Sequence, residues 1–181
     1  YCGYMGNNKD GVDNLITSFA LIANKFPELK LVLIGDGPQN EIQRFRRIVN
    51  DKRIDRKVIF TGRVNREDMP NYLCNAKVLA LARPLGLQST GGFPTKLGEY
   101  LSTGKPVVVT SVGDIPEYLE NNRNAFLCEP DNTILFAECI EKVLNNYSNA
   151  LKVGIEGRNT ALECFNYKKQ SYKLLVYLNS I

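Results

Sequence analysis

Apolar residues recur along the chain in two alternating patterns. One is the three- and four-residue spacing of a helix: Leu15, Ile16, Phe19, Ile22 and Ala23 predict a helix over Val12 to Phe26, stopped by Pro27. The other is the short apolar run of a buried strand. Leu29 to Ile34, interrupted only by Lys30, is the first; Val58 to Thr61, Val78 to Ala82 and Val107 to Thr110 follow. Helices over about Gln39 to Asn50 and Glu67 to Ala76 lie between these runs, the second with Asp68, Met69 and Pro70 in its opening turn. Tyr1-Cys2-Gly3 reads as the tail of an earlier strand, leading into a polar turn from Gly6 to Gly11. Ala125 to Cys128 reads as the last strand, after a helical turn over Ile115 to Glu120. From Asn132 to Ile181 the pattern is mostly helical, through Ile134, Phe136, Ile140, Val143 and Leu144 and again from Tyr172 to Leu178. Strands apolar on both faces, alternating with helices, predict a doubly wound α/β domain. Its parallel sheet has about six strands, helices on both faces, right-handed crossovers and a helical C-terminus. No linker or repeat divides residues 1–181, which read as a single domain.

One stretch, Gly91 to Thr110, has the layout of a glycine-rich loop, a helix and a buried strand. Gly91, Gly92 and Pro94 form the loop, and Thr95 is placed to cap the helix with its hydroxyl. Gly104 suits a left-handed stop, and Pro106 opens the β-branched run that follows. Leu97, Tyr100 and Leu101 form the buried stripe; Lys96 and Glu99 fall on the opposite side, three residues apart. Two readings fit that pair. It is a solvated surface ion pair, or Lys96 and the free N–H groups of the first turn cradle a phosphate.

In such sheets ligands bind outside the carboxyl ends of the strands. Those ends carry Gly3 and Lys9, Gly35 to Gly37, Gly62 and Arg63, Arg83, and the Gly91 to Lys96 loop, so five loops are expected to converge on one crevice. Arg63 and Arg83 have the fork geometry that clamps phosphate, and each also reads as a surface charge. Neither G-x-G-x-x-G nor G-x-x-x-x-G-K-[ST] occurs, so the dinucleotide and P-loop fingerprints are missing.

Composition narrows the chemistry. The 181 residues are 44% hydrophobic and 23% charged, enough for a real core, and no apolar stretch approaches the length of a membrane span. The net charge of +4 is concentrated in Arg44 to Lys57, with seven basic residues against two acidic. A nucleic-acid or anionic-surface patch is one reading, but Ile42, Phe45, Ile48 and Val49 run through it at helical spacing, the mark of a solvated outer helix face. Five cysteines without metal or disulfide spacing fit reduced thiols in a cytoplasmic setting, and Cys128 is expected in the core. Histidine is absent, so neither a Ser-His-Asp nor a Cys-His arrangement can be assembled. The opening without an initiator Met reads as a fragment of a longer protein.

Gly3 with Lys9-Asp10-Gly11, the Leu31 to Pro38 strand and turn, Val58 to Gly62, and Gly113 to Glu117 make up a larger pattern. Its most specific part is Glu99 to Val108, of the form E-x4-G-x-P-V-V. Nearly end to end, this pattern resembles the C-terminal domain of GT-B glycosyltransferases of the large family 4, the glycosyl transferases group 1. The resemblance implies the Rossmann-like half of a GT-B fold that binds a UDP-, GDP- or ADP-sugar, with no further cofactor. It implies that Glu99 accepts hydrogen bonds from the ribose hydroxyls, that Lys9 neutralises the diphosphate, and that backbone at Gly62, Arg63 and Val64 reads the base. The Gly35-Gly37 turn would approach the ligand. The loop of Gly92, Phe93, Pro94, Thr95 and Lys96, with Leu97 after it, would lie against the phosphates and sugar.

Two positions depart from the family pattern. Gly91 stands where a first glutamate is usual, and Gly3-Tyr4 where Gly-Arg is usual; Lys96, with Arg63 or Arg83, is expected to supply the missing charge. The implied reaction is sugar transfer with retained configuration, without a metal, in which Lys9, Lys96 and the helix N-terminus stabilise the leaving diphosphate. The acceptor, a glycan or lipid-linked sugar, would sit on an N-terminal domain outside this chain, so the fragment alone is expected to be inactive. No nucleic-acid partner is expected, and the longer protein is expected in the cytoplasm or at the inner face of a membrane. The rivals are a GT-B nucleotide-sugar 2-epimerase and a non-catalytic nucleotide-binding or interaction module.

Overall fold

The computed structural model describes residues 1–6 and 9–181, so the middle of the turn expected from Gly6 to Gly11 lies outside the described residues. The chain proceeds through helix α1 (Val12–Ile22), strand β1 (Leu31–Ile34), α2 (Gln39–Asp51), a 3-10 turn at Asp55–Lys57 and β2 (Val58–Gly62). It continues through α3 (Met69–Asn75), β3 (Leu79–Leu81), α4 (Leu87–Thr90), α5 (Thr95–Ser102) and β4 (Val107–Thr110). The last elements are α6 (Ile115–Tyr118), β5 (Phe126–Cys128), α7 (Thr133–Asn145), α8 (Tyr147–Cys164) and α9 (Tyr167–Leu178).

All strand pairs are parallel, as runs apolar on both faces require. β1 pairs with β2, and β4 lies between β3 and β5. All four residues of β4 are buried, which is why its sequence shows no alternation. The expectation of one sheet of about six strands is corrected to five strands in two hydrogen-bonded groups among the described residues. Tyr1 to Gly3 runs beside β1, with Ile34 N–H donating to the Tyr1 carbonyl and Gly3 N–H to that of Ile34, each at 2.9 Å. This makes a single bridge, Cys2 to Ile34.

α1 packs on α2 and α7, and α5 on α8, around one core. α1 ends at Ile22, short of the expected Phe26: residues 23–25 form a turn, and Pro27 drives only Phe26 itself out of the helical region. α4 lies inside what the sequence presents as a loop; Leu87 there is 96% exposed, so no apolar stripe announces it. Thr95 does not cap α5: Pro94 is the N-cap and no side chain bonds the free N–H groups. Gly104 takes the left-handed conformation expected of it, φ 71°. α8 meets its neighbours through glycines. A Cβ on Gly154 would strike the backbone of Gly104 and Lys105, and one on Gly157 the carbonyl of Asn124. α9 buries none of its residues, so its apolar spacing does not mark a core face in this chain. No helix among the described residues is long and apolar enough to cross a membrane.

An apolar cavity of about 500 Å³ lies beside β1 and β3, lined by Tyr1, Leu29, Leu31, Ile34, Leu79 and Ile140 among others.

The stripe of α5 ties the helix to the core. Leu97 is 0% exposed, so Leu97→Ala should lower stability by about 2–5 kcal/mol in urea denaturation. Leu87→Ala, on an exposed turn, should stay within about 0.5 kcal/mol of the parent.

Candidate functional site

Parallel strands put all their carboxyl ends at one edge, and there the loops are stitched together by main-chain bonds. Gly35 N–H donates to the Gly62 carbonyl at 2.9 Å and Met5 N–H to that of Asp36 at 2.7 Å. Gly35 has φ 123°, and a Cβ on it would collide with the Gly3 carbonyl oxygen; only glycine lets these two loops touch. Gly3, Gly35, Gly37 and Gly62 are thus brought together as expected, with Val64 half-buried just beyond.

α5 reaches this edge from the far side of the chain. The Lys96 ammonium bonds the carboxylate of Asp10, donates to the Tyr1 hydroxyl at 3.1 Å and lies over the Tyr1 ring, 4.5 Å from its centroid. Gly3 leaves the space it occupies, since a Cβ there would fall on Lys96 Nζ. One turn later the Tyr100 hydroxyl accepts from Cys2 N–H at 2.6 Å and faces the Cys2 carbonyl at 3.2 Å. The reading of Lys96 and Glu99 as a surface ion pair is overturned. Lys96 is 17% exposed and turned inward to Asp10, and Glu99 is exposed with no side-chain partner among the described residues.

Burial lowers the pKa of Lys96, Asp10 opposes that shift, and the nearby charge of Lys9 adds to it, so Lys9 and Lys96 share one electrostatic neighbourhood. Lys9 itself is exposed. Burial raises the Tyr1 phenol, and the Asp10 carboxylate raises it further, keeping it a hydrogen-bond donor.

The two arginines fare differently from the expectation. Arg83 is 3% exposed and is no surface charge. Its guanidinium donates to the carbonyls of Gln88 at 3.2 Å and Gly92 at 3.3 Å, bracing the loop before α5. Its Nε lies 3.9 Å from Asp10 Oδ1, and neither atom has a hydrogen-bond partner. Arg63 is 86% exposed and pairs with Asp36 at 3.4 Å. Leu97 is wholly buried, so its side chain belongs to the core and not to a ligand surface. Phe93 packs on Tyr118 and Phe165, with centroids 5.3 and 4.7 Å away, anchoring the loop rather than lining the crevice; Pro94 is buried, Gly92 half-buried and Thr95 exposed.

Three of the seven basic residues in the Arg44 to Lys57 segment are engaged within the chain, while Arg47, Lys52, Arg53 and Arg56 are exposed. Arg44 pairs with Asp13 and Glu41, Arg46 covers the Phe60 ring, and Lys57 bonds the carbonyls of Ala23 and Phe26. All five cysteines are free, and Cys128 is buried as expected. The residues that the sequence did not single out are Asp10 and Tyr1. Asp10 sits in a polar run, and its burial depends on partners distant in sequence.

The family described as glycosyl transferases group 1 matches residues 1–146. The chain is 24% identical over 174 residues to the GDP-mannose-dependent alpha-(1-6)-phosphatidylinositol monomannoside mannosyltransferase of Mycobacterium tuberculosis, covering 94% of the chain and 44% of that protein. It is 26% identical over 168 residues to the N-acetyl-alpha-D-glucosaminyl L-malate synthase of Bacillus anthracis, covering 92% and 42%. It thus spans less than half the length of these relatives. Anabaena HepE in complex with UDP superposes with a TM-score of 0.89 at 20% identity, over 99% of this chain and 48% of that one. The C-terminal domain of a glycosyl transferase group 1 family protein, LpcC of Francisella tularensis, superposes with a TM-score of 0.80 at 17% identity, over 92% and 85%.

The contrast between the arginines is measurable. Arg83→Gln removes a buried cation facing a buried carboxylate and should cost about 3–5 kcal/mol in denaturant unfolding. Arg63→Gln, at an exposed pair, should change stability by no more than about 0.5 kcal/mol.

Proposed function

The chain belongs to the glycosyl transferases group 1 family, and on that premise we propose that it is the donor-binding half of a glycosyltransferase, holding a nucleotide-diphosphate sugar in the crevice at the carboxyl edge of its strands. The observation that carries this reading is the inward turn of Lys96. It places an ammonium group against the Gly3 loop and leaves Glu99, one turn on, exposed and without a partner. The two side chains then have separate tasks. Glu99 accepts hydrogen bonds from the ribose hydroxyls; Lys96 and Lys9 meet the diphosphate; the main chain from Gly62 to Val64 lies at the base.

In the reaction, the bond from the anomeric carbon of the sugar to the diphosphate oxygen breaks, a bond from that carbon to the acceptor hydroxyl oxygen forms, and the hydroxyl proton passes to the departing diphosphate. Negative charge builds on the departing diphosphate. Lys96, Lys9 and the uncapped N–H groups at the start of α5 meet that charge without reorganising, which is where the barrier falls. Fixed cations serve this role without a metal ion, and configuration at the anomeric carbon is retained. The acceptor is a glycan or lipid-linked sugar, held by an N-terminal domain in the longer cytoplasmic protein; a relative named for a phosphatidylinositol mannoside supports that class. On this division of labour the present chain binds donor and transfers nothing.

Thermal shift with UDP, GDP and ADP tests the reading, because a ligand that binds only the folded state stabilises it by about 2.7 kcal/mol at a hundredfold excess over Kd. One of the three should raise Tm, and Lys96→Ala and Glu99→Gln should each weaken that nucleotide by about tenfold or more, equivalent to about 1.4 kcal/mol. No shift with any of them contradicts donor binding and favours a non-catalytic interaction module that binds no nucleotide.

A further inference from the structure

Asp10 is 4% exposed and holds two cations at once: the Lys96 ammonium on Oδ2 and, 3.9 Å from Oδ1, the Arg83 guanidinium. The Tyr1 hydroxyl also donates to Oδ2 at 2.7 Å. One carboxylate against two cations leaves the cluster with a net positive charge, and Asp10 Oδ1 and Arg83 Nε are both buried without a hydrogen-bond partner. As a stability device this is poor, since a buried ion pair rarely outperforms apolar packing and unpaired buried polar atoms are costly. As part of an anion site it makes sense. An ammonium group has three N–H donors. Asp10 and the Tyr1 hydroxyl accept two of them, and the third is left at the carboxyl edge of the strands.

We propose that Asp10 is the positioning residue of the crevice: it holds the Lys96 ammonium in its charged form so that the third N–H meets a phosphate oxygen of a nucleoside diphosphate. This role rests on the donor-binding reading of the site. Asp10 does not touch the ligand; it acts through Lys96.

The groups that set the charge on Lys96 come from every element around it. Around it stand the Tyr1 hydroxyl, Cys2, Lys9 and Asp10 from the first segment, Arg83 from the end of β3, and Glu99 from its own helix. Burial is the largest influence and lowers the pKa; Asp10 is the largest influence raising it. The sign follows directly. Binding through an ammonium is lost as pH rises through its pKa, and neutralising Asp10 moves that loss to lower pH.

Titration calorimetry with UDP, GDP and ADP from about pH 6 to about pH 10 covers the lysine range and reads this out. Asp10→Asn should lose about tenfold or more in affinity between pH 6 and 8.5, an interval over which the parent holds steady. Lys96→Arg in the Asp10→Asn background should be insensitive to pH there, because guanidinium stays protonated. An Asp10→Asn protein with the parent's pH profile overturns the proposal. If that variant does not fold, Asp10→Glu takes its place. It keeps the charge one methylene further out, and should keep the parent's pH profile at reduced affinity; parental affinity would overturn the proposal. A parent that binds none of UDP, GDP and ADP at any pH removes the donor-binding reading itself, and Asp10's role with it. A parent that binds while Asp10→Asn matches it removes Asp10's role alone.

Discussion

A carboxylate buried away from water has to be met by cations or hydrogen-bond donors, and Asp10 meets this requirement across the whole chain. Lys96 comes from the first turn of α5, Arg83 from the end of β3, and the Tyr1 hydroxyl from the segment beside β1. Three stretches far apart in sequence are thereby fixed at one edge of the strands. The consequences run outward. Arg83, held there, braces the carbonyls of the loop before α5; Lys96, drawn inward, leaves Glu99 alone at the surface. Gly3 has to lack a side chain because the ammonium occupies the space where one would stand.

How much of this was legible in the sequence depends on the range of the forces involved. α5 and β4 were readable because their signals are local: the Leu97, Tyr100, Leu101 stripe, the left-handed Gly104, and the β-branched run after Pro106. The convergence of glycine loops was readable because parallel topology places all carboxyl ends together. The partner of Lys96 was not readable, since an i, i+3 glutamate lay close at hand and Asp10 lay 86 positions away. Arg83 looked like a ligand clamp for the same reason: the carbonyls it braces are invisible without the fold. α4 escaped because it exposes its leucine, whereas α8 falls in the stretch read as mostly helical although it meets its neighbours through glycine. In α9 the apolar spacing was present but nothing in this chain covers it.

Family membership says that the chain belongs to a glycosyltransferase lineage, and the site geometry gives that statement a physical form. The glutamate usual at position 91 is a glycine, exposed at the end of α4, and the arginine usual after Gly3 is Tyr4. The cluster of Asp10, Lys96 and Arg83 restores positive charge close to that second gap. The account therefore places the charge that faces the leaving diphosphate on α5, and lets one buried acid govern whether that charge is present.

The most direct test is a crystal structure of the chain with UDP or GDP bound. The account predicts a diphosphate oxygen within hydrogen-bond distance of Lys96 Nζ, the ammonium still resting on Asp10, and the ribose hydroxyls on Glu99. A nucleotide seated elsewhere, such as in the apolar cavity beside β1 and β3, or one bound at the crevice without contact to Lys96, would contradict it.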